Sequence, residues 1–422
     1  MTLRELVYKN YNFVIDSRQV KENDVFLAYK GEKADGHDYV EEAFKKGASY
    51  CVVEKKLNYN NSNIIIVESV EKEILILSSE MISKANLKIG ITGSTGKTTT
   101  KEILYEMLRH SLKVFKTEKN YNTEIGIPLT ILNNYNGEEV VILEMGLQKE
   151  NDLKYLTEFY RIDVAFITNI GHSHIEFLKT LENVAVEKMK ITSNMEKGLL
   201  ICFGDNDYLN SIIPNHLNFL NFGKNENNSG FLIYYEYVKE KTKVLFEIHK
   251  KQVLLTLNNF WSEGQLLDLL ACLIFVIYIE FPIDPFIIEQ IKLPENRFQI
   301  FKSENGIIIS DCYNASLESF KSGFESINKI KDYKKILIMG EVKELGEISQ
   351  EIHNQIVTQA KNIFDKIFFY DPNKKFIFDE VIFFDKIENI SNIINEHKSY
   401  LIYLKASNSI GFEKFIKERG IL

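Results

Sequence analysis

The feature that most constrains this chain is a glycine- and threonine-rich segment, residues 93–100, which reads Gly-Ser-Thr-Gly-Lys-Thr-Thr-Thr. It follows an apolar run at residues 87–92 and precedes apolar residues at helical spacing, so the pattern predicts a strand, a loop and a helix in that order. Glycines let backbone N–H groups turn onto phosphate oxygens, and the start of a helix favours negative charge. Lys97 would then reach the β- and γ-phosphates of a nucleotide, and the Thr98 hydroxyl would reach Mg²⁺.

This loop departs from the usual phosphate-binding pattern, which has a glycine five positions before its second glycine. Here Ile91 stands at that position, between Gly90 and Gly93. A glycine- and threonine-rich turn with an exposed lysine is therefore the alternative interpretation. The strand before the loop and the helix after it favour the phosphate loop.

The pattern of apolar runs changes twice along the 422 residues, which are too many for one ordinary core. Residues 1–86 carry short strand-like runs at 25–28 and 64–67, with a predicted helix at 39–46 that ends at Gly47. Residues 87–293 alternate helices with buried strands at 87–92, 140–143, 164–167 and 199–202. Residues 294–422 repeat this alternation, with strands near 307–309, 336–338 and 367–369. The sequence therefore predicts an α/β protein of three domains, in which residues 225–257 form a β-rich excursion within the middle domain.

Several classes of protein are disfavoured by composition. A net charge of −8 argues against a general nucleic-acid binder. The four cysteines are scattered without a CxxC pair, which suits a reducing cytoplasm rather than a disulfide framework or zinc site. The apolar run at residues 269–279 is shorter than the roughly 20 residues that span a bilayer, so we expect a buried helix. The first residues lack the layout of a signal peptide. We therefore expect a cytoplasmic protein without membrane insertion.

Candidate metal ligands follow two strands of the predicted middle sheet. Glu144 comes directly after the run at 140–143, while Asn169, His172 and His174 follow the run at 164–167. Ligands collect at the carboxyl ends of parallel strands, and Mg²⁺ prefers oxygen ligands, so Glu144 suits a metal role. Two histidines spaced by one residue are more often a polar turn. Lys188, judged by its own surroundings, would be a surface lysine.

The segments at 93–100, 120–130, 144–146 and 168–176 resemble, in this order, the middle-domain motifs of the Mur ligase family. Segments at 16–18, 30–31 and 35–37 resemble its nucleotide-sugar-binding segments, and those at 295–298 and 311–316 resemble the start of its C-terminal domain. Residues 339–347, together with His353, resemble a stretch typical of the D-alanyl-D-alanine-adding members. The resemblance runs from about residue 14 to 410.

This resemblance implies the three-domain Mur ligase architecture: a small N-terminal α/β domain that binds the UDP-sugar substrate, a central P-loop ATPase domain with a parallel sheet, and a C-terminal Rossmann-like α/β domain. The implied reaction is ATP-dependent addition of D-alanyl-D-alanine to UDP-N-acetylmuramoyl-tripeptide through an acyl phosphate, in the synthesis of peptidoglycan precursors. The implied cofactors are ATP and two Mg²⁺ ions, with a carbamylated lysine, and a monomer is expected.

The resemblance also implies roles for individual residues. The catalytic residues would be Lys97, Lys188 and His174, and the metal ligands would be Thr98, Glu144, His174 and carbamylated Lys188. ATP would contact Gly93, Ser94, Thr95, Gly96, Lys97, Thr98, Thr99, Asn169, Arg297, Asp311 and Asn314. The substrates would contact Ser17, Arg18, Lys30, Gly31, Asp35, Gly36, His37, Asn122 and His353. His172 stands where the family varies.

The chain departs from the family pattern in three places. Glu263, Gly264 and Leu267 stand where the family has His-Asn and a later Asn beside adenine, and Ala406 and Asn408 replace the usual Gly and Arg near the end. Asn151-Asp152 replaces a Gly-Glu pair. A diverged ligase with another amine acceptor, such as the diamino-acid-adding enzyme, therefore stays open. So does a non-catalytic P-loop paralogue. Folylpolyglutamate and cyanophycin synthetases share a similar middle domain, but the segments at 16–18 and 35–37 do not suit them.

Overall fold

The computed structural model describes residues 1–31, 34–59, 61–282, 284–302, 306–418 and 420. These residues form three β-sheets, each flanked by helices and each built from one stretch of the chain. The α/β class and the three-domain architecture predicted from the sequence are confirmed.

The first sheet is parallel, with its strands in chain order. Its strands are β1 (Phe13–Val14), β2 (Val25–Leu27), β3 (Tyr50–Val53) and β4 (Ile64–Ile66), and its helices are α1 (Leu3–Tyr8), α2 (Val40–Lys45) and α3 (Val70–Met81). The predicted end of α2 is present, because Gly47 takes a positive φ of 105° just after the helix. Asn133 of the middle domain binds both backbone groups of Phe13, which ties β1 to that domain.

The second sheet contains the phosphate loop. Its strands are β5 (Leu87–Thr92), β6 (Val114–Lys116), β7 (Val140–Glu144), β8 (Val164–Ile167), β9 (Leu199–Phe203), β10 (Asn218–Gly223), β11 (Gly230–Val238), β12 (Lys241–Ile248) and β13 (Lys251–Asn258), in the order β13-β12-β11-β10-β9-β8-β5-β7-β6. The pairs β11–β12 and β12–β13, at one edge of the sheet, are antiparallel, and all other neighbouring strands pair in parallel. The segment at 225–257 therefore extends the middle sheet rather than leaving it.

Helices cover both faces of this sheet. They are α4 (Lys97–Leu108), α5 (Gly126–Asn134), α6 (Asp152–Phe159), α7 (Ile175–Leu178), α8 (Leu181–Met189), α9 (Asp207–Ser211), α10 (Glu263–Tyr278) and α11 (Pro285–Glu289). Ile89 and Ile142 pack on the face that α4 and α10 cover, whereas Val141 and Leu143 pack on the opposite face. The continuous apolar runs follow from this burial on both faces.

Helix α10 contains most of the apolar run that the sequence assigned to a buried helix; the prediction is confirmed for residues 269–276, whereas residues 277–279 are exposed. Ser262 and Gln265 form a capping box that fixes its start, and residues 269–276 are buried. None of the helices in the described part of the chain is both long enough and apolar enough to cross a membrane.

The third sheet has the order β14-β15-β19-β16-β17-β18. Its strands are β14 (Gln299–Lys302), β15 (Ile307–Ser310), β16 (Lys335–Met339), β17 (Lys366–Tyr370), β18 (Ile382–Phe384) and β19 (Leu401–Lys405), and its helices are α12 (Leu317–Lys329), α13 (Ser349–Lys361), α14 (Asn389–Glu396) and α15 (Phe412–Glu418). All its pairs are parallel except the edge pair β14–β15. The start of α12 faces the phosphate loop across the boundary between the middle and C-terminal domains.

Candidate active site

The phosphate loop lies between β5 and α4, where the sequence places it. Gly96 takes a positive φ of 84° directly before the helix, and a Cβ there would lie 2.3 Å from a carboxylate oxygen of Asp268. A Cβ at Gly93 would overlap the Thr168 hydroxyl. Side chains are therefore excluded at both glycines, which leaves the backbone N–H groups at the start of α4 accessible to an anion.

Lys97 folds back over this loop. Its Nζ donates a 2.7 Å hydrogen bond to the Gly93 carbonyl. Burial lowers the pKa of Lys97, and the nearby carboxylate of Glu144 offsets part of that effect. A lysine held over the loop in this way is placed to meet a bound phosphate.

The loop after β8 is hydrogen-bonded to the phosphate loop and stabilises its conformation. The Thr95 N–H donates to the Asn169 side-chain oxygen at 2.8 Å, and the Asn169 amide donates to Thr95 Oγ1 at 2.6 Å. Ser94 exchanges two hydrogen bonds with the backbone of Gly171, at 2.9 and 3.1 Å. Asn169 therefore shapes the phosphate loop, although the sequence offered it as a direct nucleotide contact.

Glu144 ends β7, next to β5, and it is only 2% exposed. Its carboxylate accepts hydrogen bonds from Thr98 Oγ1 at 2.9 Å, Asn122 at 3.0 Å and Lys101 at 3.1 Å. Burial alone would raise the pKa of Glu144, but the positive charges of Lys101, Lys97 and Arg297 outweigh it and lower its pKa. Glu144 is therefore a carboxylate in a cationic surrounding.

The pair of oxygens at Thr98 and Glu144 fits a hard cation such as Mg²⁺, which takes few protein ligands and completes its shell with phosphate and water. Among the described residues no three His, Cys, Asp or Glu side chains are grouped as a metal site. The pair fits an ion that needs phosphate oxygens, and it does not form a complete protein cage.

Two histidines on the loop after β8 each meet a glutamate of the C-terminal domain. His174 Nδ1 lies 2.9 Å from Glu344, and His172 Nδ1 lies 2.5 Å from Glu318. The hydrogen bond from His174 lowers the pKa of Glu344. For Glu318, burial alone would raise its pKa, but the hydrogen bond from His172 outweighs it and lowers the pKa. The sequence placed Glu344 in the segment at 339–347 without giving it a role, and it did not single out Glu318.

Lys188 lies on α8 and is 1% exposed, so it is not the surface lysine that its sequence surroundings suggest. Within the described part of the chain, its Nζ has no hydrogen bond and no ion pair. Burial, reinforced by the charge of Lys97, holds the pKa of Lys188 well below its ordinary value of 10.5. A buried lysine without a counter-ion is costly when charged, which favours the neutral amine.

Three C-terminal candidates face the phosphate loop. Arg297 donates to Thr98 Oγ1 at 2.9 Å, and its guanidinium lies 3.8 Å from the centre of the Tyr313 ring. Asp311 pairs with Lys405 at 2.5 Å, and Asn314 lies beside them in the cavity wall. Arg297 therefore brings a positive charge from the C-terminal domain to the phosphate side.

A cavity of about 580 Å³ lies between the middle and C-terminal domains. This volume is in the range of small-molecule sites. The sequence-predicted residues that line it are Ser94, Thr95, Gly96, Lys97, Thr98, Thr99, Asn122, Glu144, Asn169, His174, Arg297, Asp311 and Asn314. The other predicted site residues do not line it.

The N-terminal candidates lie apart from this cavity. Ser17 and Arg18 follow β1, and residues 30–31 and 35–37 follow β2, so these segments stand at the carboxyl ends of neighbouring parallel strands. Arg18 is 82% exposed, whereas His37 is buried with its Nδ1 on Asp35 and its Nε2 accepting from the Glu54 N–H. A Cβ at Gly36 would meet the Tyr29 backbone. Gly36 and His37 therefore shape this loop, while the cations Arg18 and Lys30 are exposed.

His353 is not brought to the cavity, although the sequence offered it as a substrate contact. It is fully buried on α13. Its Nε2 accepts from the Val342 N–H at 2.9 Å, and its Nδ1 lies 2.6 Å from the Ser349 carbonyl. With both nitrogens engaged inside the domain, the structure gives His353 a supporting role beneath residues 341–344.

Other residues of the site were missed by sequence reasoning. Lys101 is completely buried against Glu144, and a lysine one turn after Lys97 on an otherwise buried helix was the signal that could have found it. Asp268 lies beside Gly96, and burial raises its pKa well above the ordinary value. Glu263, by contrast, was noted in the sequence as a departure from the family beside adenine; it lines the cavity at the start of α10 and pairs with Lys224 at 3.0 Å.

Comparisons with known proteins agree with this site. Three family models match: "Mur ligase family, catalytic domain" at residues 10–108, "Mur ligase middle domain" at 91–276, and "Mur ligase, glutamate ligase domain" at 296–400. Two proteins named UDP-N-acetylmuramoyl-tripeptide--D-alanyl-D-alanine ligase are similar over most of their length. That of Rickettsia prowazekii is 29% identical (95% of this chain, 93% of that protein), and that of Bacillus subtilis is 28% identical (96% and 92%).

Solved structures are similar over nearly the whole chain. The MurF ligase of Thermotoga maritima in complex with ADP is 33% identical, covers 98% of this chain and 99% of its own, and has a TM-score of 0.87. A MurF of Acinetobacter baumannii is 20% identical with a TM-score of 0.85, covering 98% of this chain and 97% of its own, and it supports the fold. The chain therefore belongs to the Mur ligase family and, within it, to the MurF ligases.

Proposed function

We propose that this protein joins the amine of D-alanyl-D-alanine to a carboxylate of UDP-N-acetylmuramoyl-tripeptide, at the expense of ATP. The observation that carries the proposal is the cavity between two domains, in which a phosphate loop and Glu144 face Arg297. The relatives named for this reaction match almost end to end, and the similar MurF ligase of Thermotoga maritima is known in complex with ADP. Peptidoglycan precursor synthesis is the corresponding process, which underlies cell shape and division.

The first chemical step is transfer of the γ-phosphoryl group of ATP to the tripeptide carboxylate. A carboxylate is a poor electrophile, and this transfer converts it into an acyl phosphate with a good leaving group. The loop amides, Lys97 and Arg297 would spread the charge that develops on the phosphoryl oxygens. Thr98 and Glu144 would hold Mg²⁺, which supplies further neutralisation of that charge when bound.

A second Mg²⁺ site is supported by His174. Its Nδ1 is paired with Glu344, and its Nε2 has no hydrogen bond within the described part of the chain. A histidine that ligates a metal commonly donates its other ring N–H to a carboxylate, which fixes the tautomer. The Glu344–His174 pair therefore supports a role for His174 as a metal ligand.

Carbamylation of Lys188 is supported by its burial and by the lack of a counter-ion for its amine. A neutral amine attacks the carbon of CO₂, an N–C bond forms, and one proton leaves to solvent. The product is a carbamate with two oxygens and one negative charge. Such a group matches the preference of Mg²⁺ for oxygen ligands, whereas a protonated lysine would repel the ion.

In the second step the amine of the dipeptide attacks the acyl phosphate carbonyl, and phosphate leaves from the tetrahedral intermediate as the amide forms. Water would destroy the acyl phosphate, so the reaction needs an enclosed site. Walls contributed by two domains suit this need, because movement of one domain relative to the other would open the cavity for substrates and close it for chemistry.

We place the UDP-sugar end of the substrate on the N-terminal domain, at residues 1–86, with ATP on residues 87–293 and the dipeptide side on residues 294–422. Ligands of parallel sheets bind at the carboxyl ends of strands, and the exposed cations Arg18 and Lys30 follow β1 and β2. Both cations suit a diphosphate. Use of ATP supports a cytoplasmic site, and we propose that the protein acts as a monomer.

The acyl-phosphate step is tested by oxygen transfer. The tripeptide carboxylate is labelled with ¹⁸O, and the phosphate released during turnover with D-alanyl-D-alanine is analysed by mass spectrometry. We expect one labelled oxygen in each phosphate, because the carboxylate oxygen becomes the bridging atom of the acyl phosphate. Unlabelled phosphate with amide formation would contradict this mechanism.

A further inference from the structure

We propose that Glu318 is a positioning residue that couples the C-terminal domain to nucleotide binding by holding the loop at residues 171–173 against the phosphate loop. The inference rests on the proposed function, because ATP is the ligand to which the coupling responds. Neither the sequence motifs nor the proposed chemistry uses Glu318.

Glu318 reaches across the domain boundary from the first turn of α12. Its Oε2 accepts the His172 backbone N–H at 3.1 Å, and its Oε1 lies 2.5 Å from His172 Nδ1. The carboxylate occupies the space above Gly171, where an added Cβ would lie 2.4 Å from the Glu318 Cδ atom. The carboxylate can therefore lie here only because residue 171 has no side chain.

The opposite side of the same loop is bonded to the phosphate loop. Ser94 Oγ donates to the Gly171 carbonyl and accepts from the Gly171 N–H, and Ser173 Oγ donates to the Ser94 carbonyl at 3.2 Å. Residues 171–173 therefore lie between the phosphate loop and the start of α12, with hydrogen bonds on both sides.

This arrangement links nucleotide binding to docking of Glu318 on His172, which would otherwise be independent of each other. A nucleotide that orders the phosphate loop also orders residues 171–173, which presents His172 to Glu318. By reciprocity, docking of Glu318 must favour nucleotide binding by the same factor. A contact that only held the two domains together would instead change stability without changing nucleotide affinity.

Two variants separate coupling to nucleotide binding from a purely structural contact. Glu318→Ala removes the carboxylate. Gly171→Ala leaves the charge of Glu318 in the protein, but the added methyl group displaces the carboxylate from its position. The φ of Gly171 is not in the left-handed region, so alanine is compatible with the backbone there. The matched control is Glu240→Ala, which removes the exposed ion pair between Glu240 and Lys302, 2.7 Å apart, at another contact between the same domains.

The measurement is the dissociation constant for ADP and for a non-hydrolysable ATP analogue, by titration calorimetry on the full chain with Mg²⁺. We expect Glu318→Ala and Gly171→Ala each to weaken binding about five-fold or more. The double variant should bind no more weakly than Glu318→Ala, because the methyl group has nothing left to displace. Glu240→Ala should bind like the wild type.

Weaker nucleotide binding by Glu318→Ala cannot come from direct electrostatics, since loss of a nearby negative charge would tighten binding of an anionic nucleotide. Unchanged or tighter binding by Glu318→Ala would overturn the inference, as would effects of the two substitutions that add in the double variant. A wild type that binds no nucleotide would overturn the proposed function and this inference together.

Discussion

The Thr98 hydroxyl donates a 2.9 Å hydrogen bond to the Glu144 carboxylate, although the two residues are 46 positions apart in the chain. They meet because β5 and β7 are parallel neighbours, so the residues that follow their carboxyl ends share one edge of the sheet. Lys101 and Arg297 supply positive charge to the same two side chains. These contacts define the phosphate side of the site.

Lys97→Ala should abolish phosphoryl transfer. Lys97 is held over the phosphate loop, and loss of its contact to the transferring group should lower kcat on the order of a thousandfold. ADP formation in the presence of both other substrates measures this. The circular dichroism and melting temperature should stay close to those of the wild type, and near-normal turnover would remove the phosphate-loop assignment.

Glu144→Gln should raise the Mg²⁺ concentration needed for half-maximal activity and lower turnover at least about a hundredfold. The amide keeps the shape of the side chain but loses the charge that attracts the ion. Glu106→Gln is the matched control, because Glu106 lies on the same helix as Thr98 and Lys101 but pairs with Arg109 at 2.8 Å. Equal Mg²⁺ dependence in the two variants would contradict a metal role for Glu144.

Lys188 should carry a carbamate in the active enzyme. Lys188→Ala should be nearly inactive, and acetate should restore part of the activity by placing a carboxylate in the vacated space. Lys190→Ala is the control, because Lys190 is bonded to Glu187 and Asn151 near the surface of the domain. ¹³C NMR with labelled bicarbonate detects the carbamate. An active enzyme with an unmodified Lys188, or full activity of Lys188→Ala, would sink this proposal.

Lys188→Met should raise the melting temperature at neutral pH in CO₂-free buffer, while removing activity. Because burial depresses the pKa of Lys188 in the fold, the unfolded chain binds more protons than the native state between that depressed pKa and 10.5. Wild-type stability should therefore rise with pH through this window, and the methionine variant should lack this contribution. If the melting temperatures of the two proteins changed with pH by the same amount, burial of Lys188 would not reduce the stability of the wild type, and the prediction would be wrong.

Local sequence was sufficient for much of the fold and for the phosphate loop. Strands β5 and β8 have the predicted bounds, because continuous apolar runs define strands buried on both faces. The short edge strand β14 was missed, since Gln299–Lys302 mixes polar and apolar residues without a clear period. The partners of His172 and His174 could not be predicted, because Glu318 and Glu344 are brought to them only by docking of the C-terminal domain.

The burial of individual polar side chains could not be predicted from the sequence. Lys188 and His353 look alike in sequence, as polar residues on amphipathic helices, and both are buried. Lys188 lies without a partner near Lys97, which suits a modified ligand, whereas His353 has both nitrogens engaged within its own domain and does not line the cavity. The contacts of each side chain, rather than its residue type, separate the two roles.

The most direct test of the proposed function is the product formed from purified enzyme, ATP, Mg²⁺ and UDP-N-acetylmuramoyl-tripeptide with different amines. ADP release and product mass are measured with D-alanyl-D-alanine, single D-alanine, glutamate and a diamino acid in parallel. We predict that only D-alanyl-D-alanine stimulates ADP release and that the product is the UDP-linked pentapeptide. Consumption of another amine while the dipeptide is ignored, or no ADP release with any of them, would contradict the proposal.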